Sequence, residues 1–196
     1  MKTPRKKEVV EQVFWGLDIM VRSVAAVGIR TDNTKIFSLW IGKDKGLLRE
    51  YFYYEHLIQL LKEYPNSVFG MEDYAYGKGG QNSRSVFTLG EITGIFKLNL
   101  YQRHYPTYVF GIGQIKKFFT GYGNAQKIDM ISAASGMTSH ITIPIKKNAL
   151  EEMSHLSDAF AIANMTRFYS SGIVTGLSEL QRRWLETHNA GEFIIQ

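Results

Sequence analysis

The sequence predicts a single α/β domain, in which helices flank a five-stranded mixed sheet made of a three-stranded antiparallel meander and parallel strands. Three observations predict this fold. Three short apolar strands follow one another closely at the start of the chain, as in a meander. One amphipathic helix crosses between the third and the fourth strand, which is the connection that parallel strands need. Strands dominate the first half of the chain and helices the second.

The first three strands are predicted over residues 12–20, 23–30 and 35–41. The first is short and rich in bulky apolar side chains, so it suits a buried strand better than a helix. Turn-forming residues at 31–34 separate the second strand from the third. The close spacing of the three strands therefore indicates antiparallel neighbours.

A helix is predicted over residues 46–64, because apolar side chains recur there at steps of three and four and charged ones lie opposite. Pro65 ends this helix, and residues 68–71 form a fourth strand that Glu72 closes. A second helix is expected over residues 82–95 and a fifth strand over 97–103.

The rest of the chain has helical periodicity. Helices are predicted near residues 114–119, 124–134, 154–169 and 177–188. No linker rich in Pro, Gly or Ser divides the 196 residues, so one domain is expected over 1–196. Residues 1–10 read as a basic arm and residues 172–196 as a C-terminal extension.

The composition narrows the class of protein. A formal net charge of +5 favours a polyanionic partner without identifying it, because ribosomal and nucleoid proteins are basic too. The chain has no cysteine, which excludes a disulfide scaffold and cysteine-based zinc sites. No apolar run is long enough to cross a bilayer, and no signal peptide is recognisable. A cytoplasmic protein without a membrane partner is expected.

Two acidic residues lie where burial should disfavour them. Asp18 follows apolar residues within the first strand, and Glu72 directly follows the fourth. An ionised carboxylate in a buried position is costly unless its charge is compensated. A salt bridge or a helix cap would explain either residue alone. Two carboxylates at the ends of adjacent strands make a shared cation more plausible, and Mg²⁺ is suited to such ligands.

A third acidic position lies at the predicted start of the helix over residues 154–169. His155 and Asp158 are three residues apart, so both side chains would lie on one face of the first turn. The alternative is that Asp158 caps backbone N–H groups in this turn and that His155 is solvated. The functional interpretation of this pair depends on the two strand-end carboxylates.

Four segments, taken in order, resemble one known family. They are Gly16-Leu17-Asp18 with residues 23–29, Met71-Glu72-Asp73-Tyr74 with residues 82–94, residues 115–127, and residues 155–163. Together they resemble the first hairpin, the second acidic motif, the basic segment and the closing motif of the RuvC-type Holliday-junction resolvases. The loop at 19–22 and the longer stretch at 106–116 depart from that pattern, which suggests a phage or otherwise divergent member.

The resemblance implies a ribonuclease H-like fold and an endonuclease that resolves four-way DNA junctions by paired nicks. It implies that Asp18, Glu72, His155 and Asp158 gather around two Mg²⁺ ions about 4 Å apart, with Mn²⁺ as a substitute. Asp18 would bridge the ions, Glu72 would bind one and Asp158 the other. His155 would be a ligand or would orient the attacking water.

The resemblance also implies a homodimer, since two nicks need two active sites. The helix over residues 82–95 is the expected interface. Three lysines are the expected phosphate contacts, although each could equally be a solvated surface residue: Lys116, Lys117 and Lys127. Tyr74 and Tyr76 are expected to stack on bases at the junction centre, and Arg84 to contact the DNA backbone.

Three other functions fit parts of the sequence. Another ribonuclease H-like nuclease, acting on flaps, other branched DNA or RNA–DNA hybrids, would use the same carboxylates. A non-catalytic junction-binding module would keep the fold, but it gains nothing from clustered negative charge near phosphates. A basic structural protein of a ribosome or nucleoid would explain the charge but not the acidic strand ends.

Overall fold

The computed structural model describes residues 11–73, 83–137, 149–188 and 194–195, which build a mixed sheet between two layers of helices. The described strands are β1 Val13–Ile19, β2 Ser23–Arg30, β3 Lys35–Ile41, β4 Ser67–Glu72, β5 Thr107–Phe110 and β6 Ile194–Ile195. Their order across the sheet is β3-β2-β1-β4-β5-β6. The basic arm expected at residues 1–10 lies outside the described residues.

The strand pairing confirms the predicted fold class. β1 pairs antiparallel with β2, and β2 with β3, which is the expected meander. β4 lies parallel to β1, and β5 parallel to β4. The short strand β6 adds a sixth strand that was not predicted, and it pairs antiparallel with β5.

The helices cover both faces of this sheet. They are α1 Leu47–Glu63, α2 Ser83–Gln102, α3 Ile112–Thr120, α4 Lys127–Met137, α5 Ala149–Ser171 and α6 Glu179–Glu186. α1 and α2 pack on one face, and the other four helices pack on the opposite face, with α5 lying across β1, β2 and β4. No helix in the described part of the chain is long and apolar enough to cross a membrane.

Alternating side chains of β1 supply both cores. Trp15 and Leu17 point toward α1 and α2, whereas Phe14 belongs to the cluster under α5. Every residue of β1 is buried, because the strand is central and both of its faces are covered. Asp18 has the parity of Phe14 and therefore faces α5.

The prediction of a strand over residues 97–103 is wrong. α2 continues to Gln102, and the fifth strand is β5, which begins at Thr107. The alternation of Leu98 and Leu100 suggested a strand, but Leu100 is fully buried whereas Leu98 is 54 % exposed. Phe96 and Leu100 instead follow the four-residue step of a helix face, so packing against the sheet extends the helix.

The start predicted for the long helix is also wrong. α5 begins at Ala149, and its first turn contains Glu151 and Glu152, which favour a helix N-terminus. His155 and Asp158 therefore lie in the helix interior rather than in its first turn. This removes the alternative in which Asp158 serves the free N–H groups of a helix start.

Candidate active site

Asp18 and Glu72 lie beside each other at one edge of the sheet. Asp18 is the next-to-last residue of β1, and Glu72 is the last residue of β4. These strands are parallel and in register, with Leu17 opposite Met71, so the two acidic residues occupy the next positions along. Asp18 is 5 % exposed and Glu72 is partly buried. Their placement at adjacent strand ends is what the sequence predicted.

A pair of glycines lets α5 approach this part of the sheet. Gly16 and Gly70 are opposite each other in the register of β1 and β4. A methyl group on Gly16 would lie 2.0 Å from the carbonyl oxygen of Ala159, and one on Gly70 would lie 2.0 Å from Oγ1 of Thr166. Both strands therefore need glycine here, because the helix occupies the space of a side chain.

The same contact sets the positions of the functional side chains. Asp18 lies two residues beyond Gly16 and Glu72 two residues beyond Gly70, so both point to the glycine face. On α5, His155 is one turn before Ala159, which contacts Gly16. The shared spacing, a glycine two residues before each acid, was present in the sequence but was not recognised as a signal.

His155 contacts Asp18 directly. Nδ1 of His155 lies 2.7 Å from Oδ2 of Asp18, and both side chains are buried. A protonated Nδ1 donates this hydrogen bond to the carboxylate. The bond raises the pKa of His155 above its ordinary value, while burial acts in the opposite direction. Oε1 of Glu151, one turn earlier, lies 4.0 Å from Nε2 of His155.

Glu72 and Asp158 are held at unfavourable positions for negative charge. Burial is the main cause that raises the pKa of Glu72 to about 8, and the charges of Asp18 and Asp158 add to it. Burial also leads the causes that raise the pKa of Asp158 to about 7, followed by the charge of Asp18. Three carboxylates thus interact in one region, and they repel one another.

Two of the predicted lysines face these carboxylates. Lys116 on α3 lowers the pKa of both Glu72 and Asp158, and Lys127 at the start of α4 lowers that of Asp158. Lys116 is partly buried, whereas Lys117 and Lys127 are exposed. Their cationic groups do not cancel the cluster's effect, because both carboxyl pKa values stay well above the ordinary range.

The remaining predicted DNA contacts cannot be placed. Tyr74 and Tyr76 lie outside the described residues. Arg84 lies in α2, but its side chain is outside the description as well.

The donor set suits a hard divalent cation. Carboxylate oxygens are the ligands that Mg²⁺ prefers, and a cation would compensate the charge that raises the two pKa values. Among the described residues, however, no three His, Asp or Glu side chains are already arranged to hold one ion. The residue types and the local charge fit Mg²⁺, while the side chains would have to turn toward it.

Comparison with known proteins gives one consistent result. The model of the family "Crossover junction endodeoxyribonuclease RuvC" matches residues 41–166, which include Glu72, His155 and Asp158 but not Asp18. The RuvC of Thermosipho melanesiensis is 30 % identical over 115 residues, 59 % of this chain and 69 % of that protein. The RuvC of Chloroherpeton thalassium is 27 % identical over 145 residues, 74 % of this chain and 72 % of that protein.

A solved structure shares the fold. The structure of T. thermophilus RuvC in complex with Holliday junction substrate superposes with a TM-score of 0.62 at 16 % identity. The superposition covers 82 % of this chain and 94 % of that one.

Proposed function

This chain belongs to the crossover junction endodeoxyribonuclease RuvC family, and we propose from this that it cuts four-way DNA junctions by paired nicks. The observation that carries the proposal is the meeting of Asp18, Glu72, His155 and Asp158 at one edge of the sheet, in an enzyme family of this kind. The protein would act in the cytoplasm of a bacterium or a phage-infected cell.

The four side chains would hold two Mg²⁺ ions, with Mn²⁺ as a substitute. Held by these residues, the ions would supply Lewis-acid activation of a water and stabilisation of negative charge on the departing 3′ oxygen. Asp18 would contribute to the binding of both ions, because it lies on a strand inside the sheet and its charge acts on both Glu72 and Asp158. Glu72 would bind one ion and Asp158 the other. The products would be a 5′-phosphate and a 3′-hydroxyl.

His155 would act next to Asp18. Its hydrogen bond to Oδ2 of Asp18 supports a role in holding that carboxylate in one orientation. Its other ring nitrogen, Nε2, would bind an ion directly or orient the attacking water.

Lysines on the α5 side of the sheet would contact the DNA backbone. Lys116 and Lys127 are close enough to the acidic cluster to affect its pKa values, so a phosphate bound by them would lie beside the scissile position. Lys117, exposed on α3, would contact the same strand farther from the cluster. Tyr74, Tyr76 and Arg84 remain proposed contacts to bases and backbone.

We also propose a homodimer that is formed through α2. Exposed residues form a stripe on one face of this helix at steps of seven, four and three, namely Phe87, Gly94, Leu98 and Tyr101. A methyl group on Gly94 would meet no described heavy atom within 4 Å, so another helix could approach there closely. Leu48 and Tyr51 of α1 extend the apolar surface beyond Ile95 of α2, along a groove of about 390 Å³.

A cleavage assay on synthetic four-way junctions with Mg²⁺ tests the assigned site. Asp18→Asn and Glu72→Gln should each lower the rate of nicking at least about a thousand-fold while junction binding persists, because the charge that holds the ions is lost. Asp44→Asn, an exposed acid in the loop before α1, is the matched control and should cut like the wild type. Activity that survives both site variants would show that the assignment is wrong.

Substrate comparison separates the proposed function from its alternative. The wild type should cut a four-way junction in preference to a matched linear duplex, a flap or an RNA–DNA hybrid. If it cuts these equally while the two site variants are inactive, the chain is a ribonuclease H-like nuclease without junction selectivity.

A further inference from the structure

The C-terminal segment packs against the domain although the family match ends at residue 166. Arg167, at 2 % exposure, donates to the carbonyl oxygen of Thr175 at 2.9 Å and to Oδ1 of Asn33 at 3.1 Å. Leu177 then enters the core cluster under α5. This segment is therefore anchored at the point where it leaves α5.

α6 covers one side of α3. Trp184 of α6 contacts Phe118 of α3 edge to face, with ring centroids 5.6 Å apart, and Phe118 is fully buried. Phe119, the next residue, packs instead on Phe160 of α5. α3 therefore packs on α6 through Phe118 and on α5 through Phe119.

A second contact joins α6 to the end of α3. Gly121 ends α3 in the left-handed conformation, with a φ of 90°. The Cδ2 atom of Leu180 lies 3.3 Å from the place where a methyl group on Gly121 would stand. α6 thus touches α3 both on its length and at the loop that leads to α4 and Lys127.

We propose that α6 positions the lysines of α3 for contact with DNA phosphates, a role that rests on the proposed function. Trp184 and Leu180 are positioning residues that act through α3. Lys116 and Lys117 lie directly before Phe118, so the packing of Phe118 on Trp184 fixes the helix rotation that presents both lysines. The segment beyond the family match would then be part of the DNA-binding apparatus.

The charges of α6 favour support over direct contact with DNA. The helix carries two acidic and two basic side chains, Glu179, Glu186, Arg182 and Arg183. Glu179 is already paired with Arg183. A helix with balanced charge attracts phosphates weakly, whereas α3 presents Lys116 and Lys117 without an acidic residue in its sequence.

The dependence of binding on salt tests this role. Each phosphate contact contributes about 0.9 to the slope of the logarithm of the binding constant against the logarithm of salt concentration. Trp184→Leu should lower the magnitude of this slope by about one to two on both a junction and a linear duplex. Trp184→Phe keeps an aromatic ring against Phe118 and should therefore have a slope close to that of the wild type. A variant that merely lowers the folded fraction weakens binding without changing the slope.

A double-mutant cycle with Lys117→Ala completes the test. If Trp184 acts through α3, the loss of DNA-binding free energy in the double variant Trp184→Leu, Lys117→Ala should be smaller than the sum of the losses in the two single variants. Leu180→Ala, on a partly exposed residue, repeats the measurement if Trp184→Leu does not fold, and Glu186→Ala is the control on the same helix.

Additive losses, or an unchanged slope in both α6 variants, would overturn the positioning role. A lower slope in an Arg182→Ala, Arg183→Ala variant with no effect of Trp184→Leu would show direct contact by α6 instead. A wild type that cuts junction and duplex equally would contradict the proposed function but leave the slope comparison valid.

Discussion

Glu72 and Asp158 are the residues at which the site opposes the stability of the fold. Burial and neighbouring carboxylates raise the pKa of Glu72 to about 8 and that of Asp158 to about 7. A group of this kind binds its proton more tightly in the folded chain than in the unfolded one. Its ionisation near neutral pH therefore costs folding free energy until a cation binds.

This cost predicts how stability changes with pH in the absence of divalent ions. Since the folded pKa of Glu72 is above its unfolded value of 4.5, stability should fall as the pH rises from 4.5 toward about 8. Over this pH range the free energy of unfolding of Glu72→Gln should fall by roughly 2–4 kcal/mol less than that of the wild type, because the glutamine has no proton to release. Urea unfolding in the presence of EDTA at several pH values measures the difference.

Two further measurements make this prediction specific. Mg²⁺ should stabilise the wild type more at pH 8 than at pH 5, and it should stabilise Glu72→Gln less. Asp44→Asn should follow the wild type at every pH. If the free energy of unfolding changes with pH in the same way for the wild type and Glu72→Gln, then the fold does not raise the pKa of Glu72.

At the residue scale, the site followed from chemistry that a sequence displays. Asp18 and Glu72 are acids within apolar strands, and that conflict is visible without coordinates. The hydrogen bond between His155 and Asp18 was not predictable, because it joins residues 137 positions apart and depends on the rotation of both side chains.

The contact of α5 with β1 and β4 is the element-scale feature on which the site depends. Gly16 lets the backbone of α5 approach β1, Gly70 leaves room on β4 for the side chain of Thr166, and the functional side chains follow at fixed offsets from these contacts. A larger residue at Gly16 would meet the backbone of Ala159 and Ala163 and would lift α5 from the sheet. Asp158 would then move away from Asp18 and Glu72.

Gly16→Ala should accordingly be destabilising and should weaken Mg²⁺ binding. The added methyl group would meet the carbonyl oxygen of Ala159, which cannot move without the helix, so a loss of about 2–4 kcal/mol is expected. Gly113→Ala in α3 is the control, because its methyl group would meet nothing nearer than 3.9 Å. Thermal melts and Mg²⁺ titration by calorimetry measure the two effects. If Gly16→Ala has the melting temperature and the Mg²⁺ affinity of the wild type, then the contact of α5 with β1 does not require glycine at this position.

Elements were predictable where one periodicity was clear and were misread where two overlapped. β2 and β3 have the predicted bounds, since turn residues separate two runs of strand-forming residues. The end of α2 was read as a strand because Leu98 and Leu100 alternate with polar residues. Only the position of the sheet shows that Leu100 is buried while Leu98 faces outward.

On the scale of the whole molecule, the two faces of the sheet carry different surfaces. The α5 face has the carboxylates together with Lys116, Lys117 and Lys127. The opposite face has the apolar stripe of α2 and, beside it, the acidic residues Glu50 and Glu91. The first surface places basic side chains beside the carboxylates and suits DNA, whereas the second exposes a row of apolar side chains and suits a protein partner.

A second copy of the chain is the partner that paired nicking needs, so breaking the stripe should separate the two nicks. Phe87→Glu is expected to weaken dimerisation at least about a hundred-fold, because it would place a charge in an apolar interface. Sedimentation velocity over a concentration series measures the dissociation. Val174→Glu, at an exposed apolar residue outside the stripe, should remain dimeric.

The consequence for catalysis follows from the distance between the stripe and the site. Phe87 lies on the face of the sheet away from His155 and Asp158, so a monomeric variant keeps its carboxylates and its α3 lysines. It should still nick one strand of a junction, whereas the second nick should become a separate, slower event that depends on enzyme concentration. A supercoiled plasmid with an extruded cruciform distinguishes these outcomes, because paired nicks linearise it and single nicks only relax it. Linear product from a variant that sediments as a monomer would contradict the α2 interface.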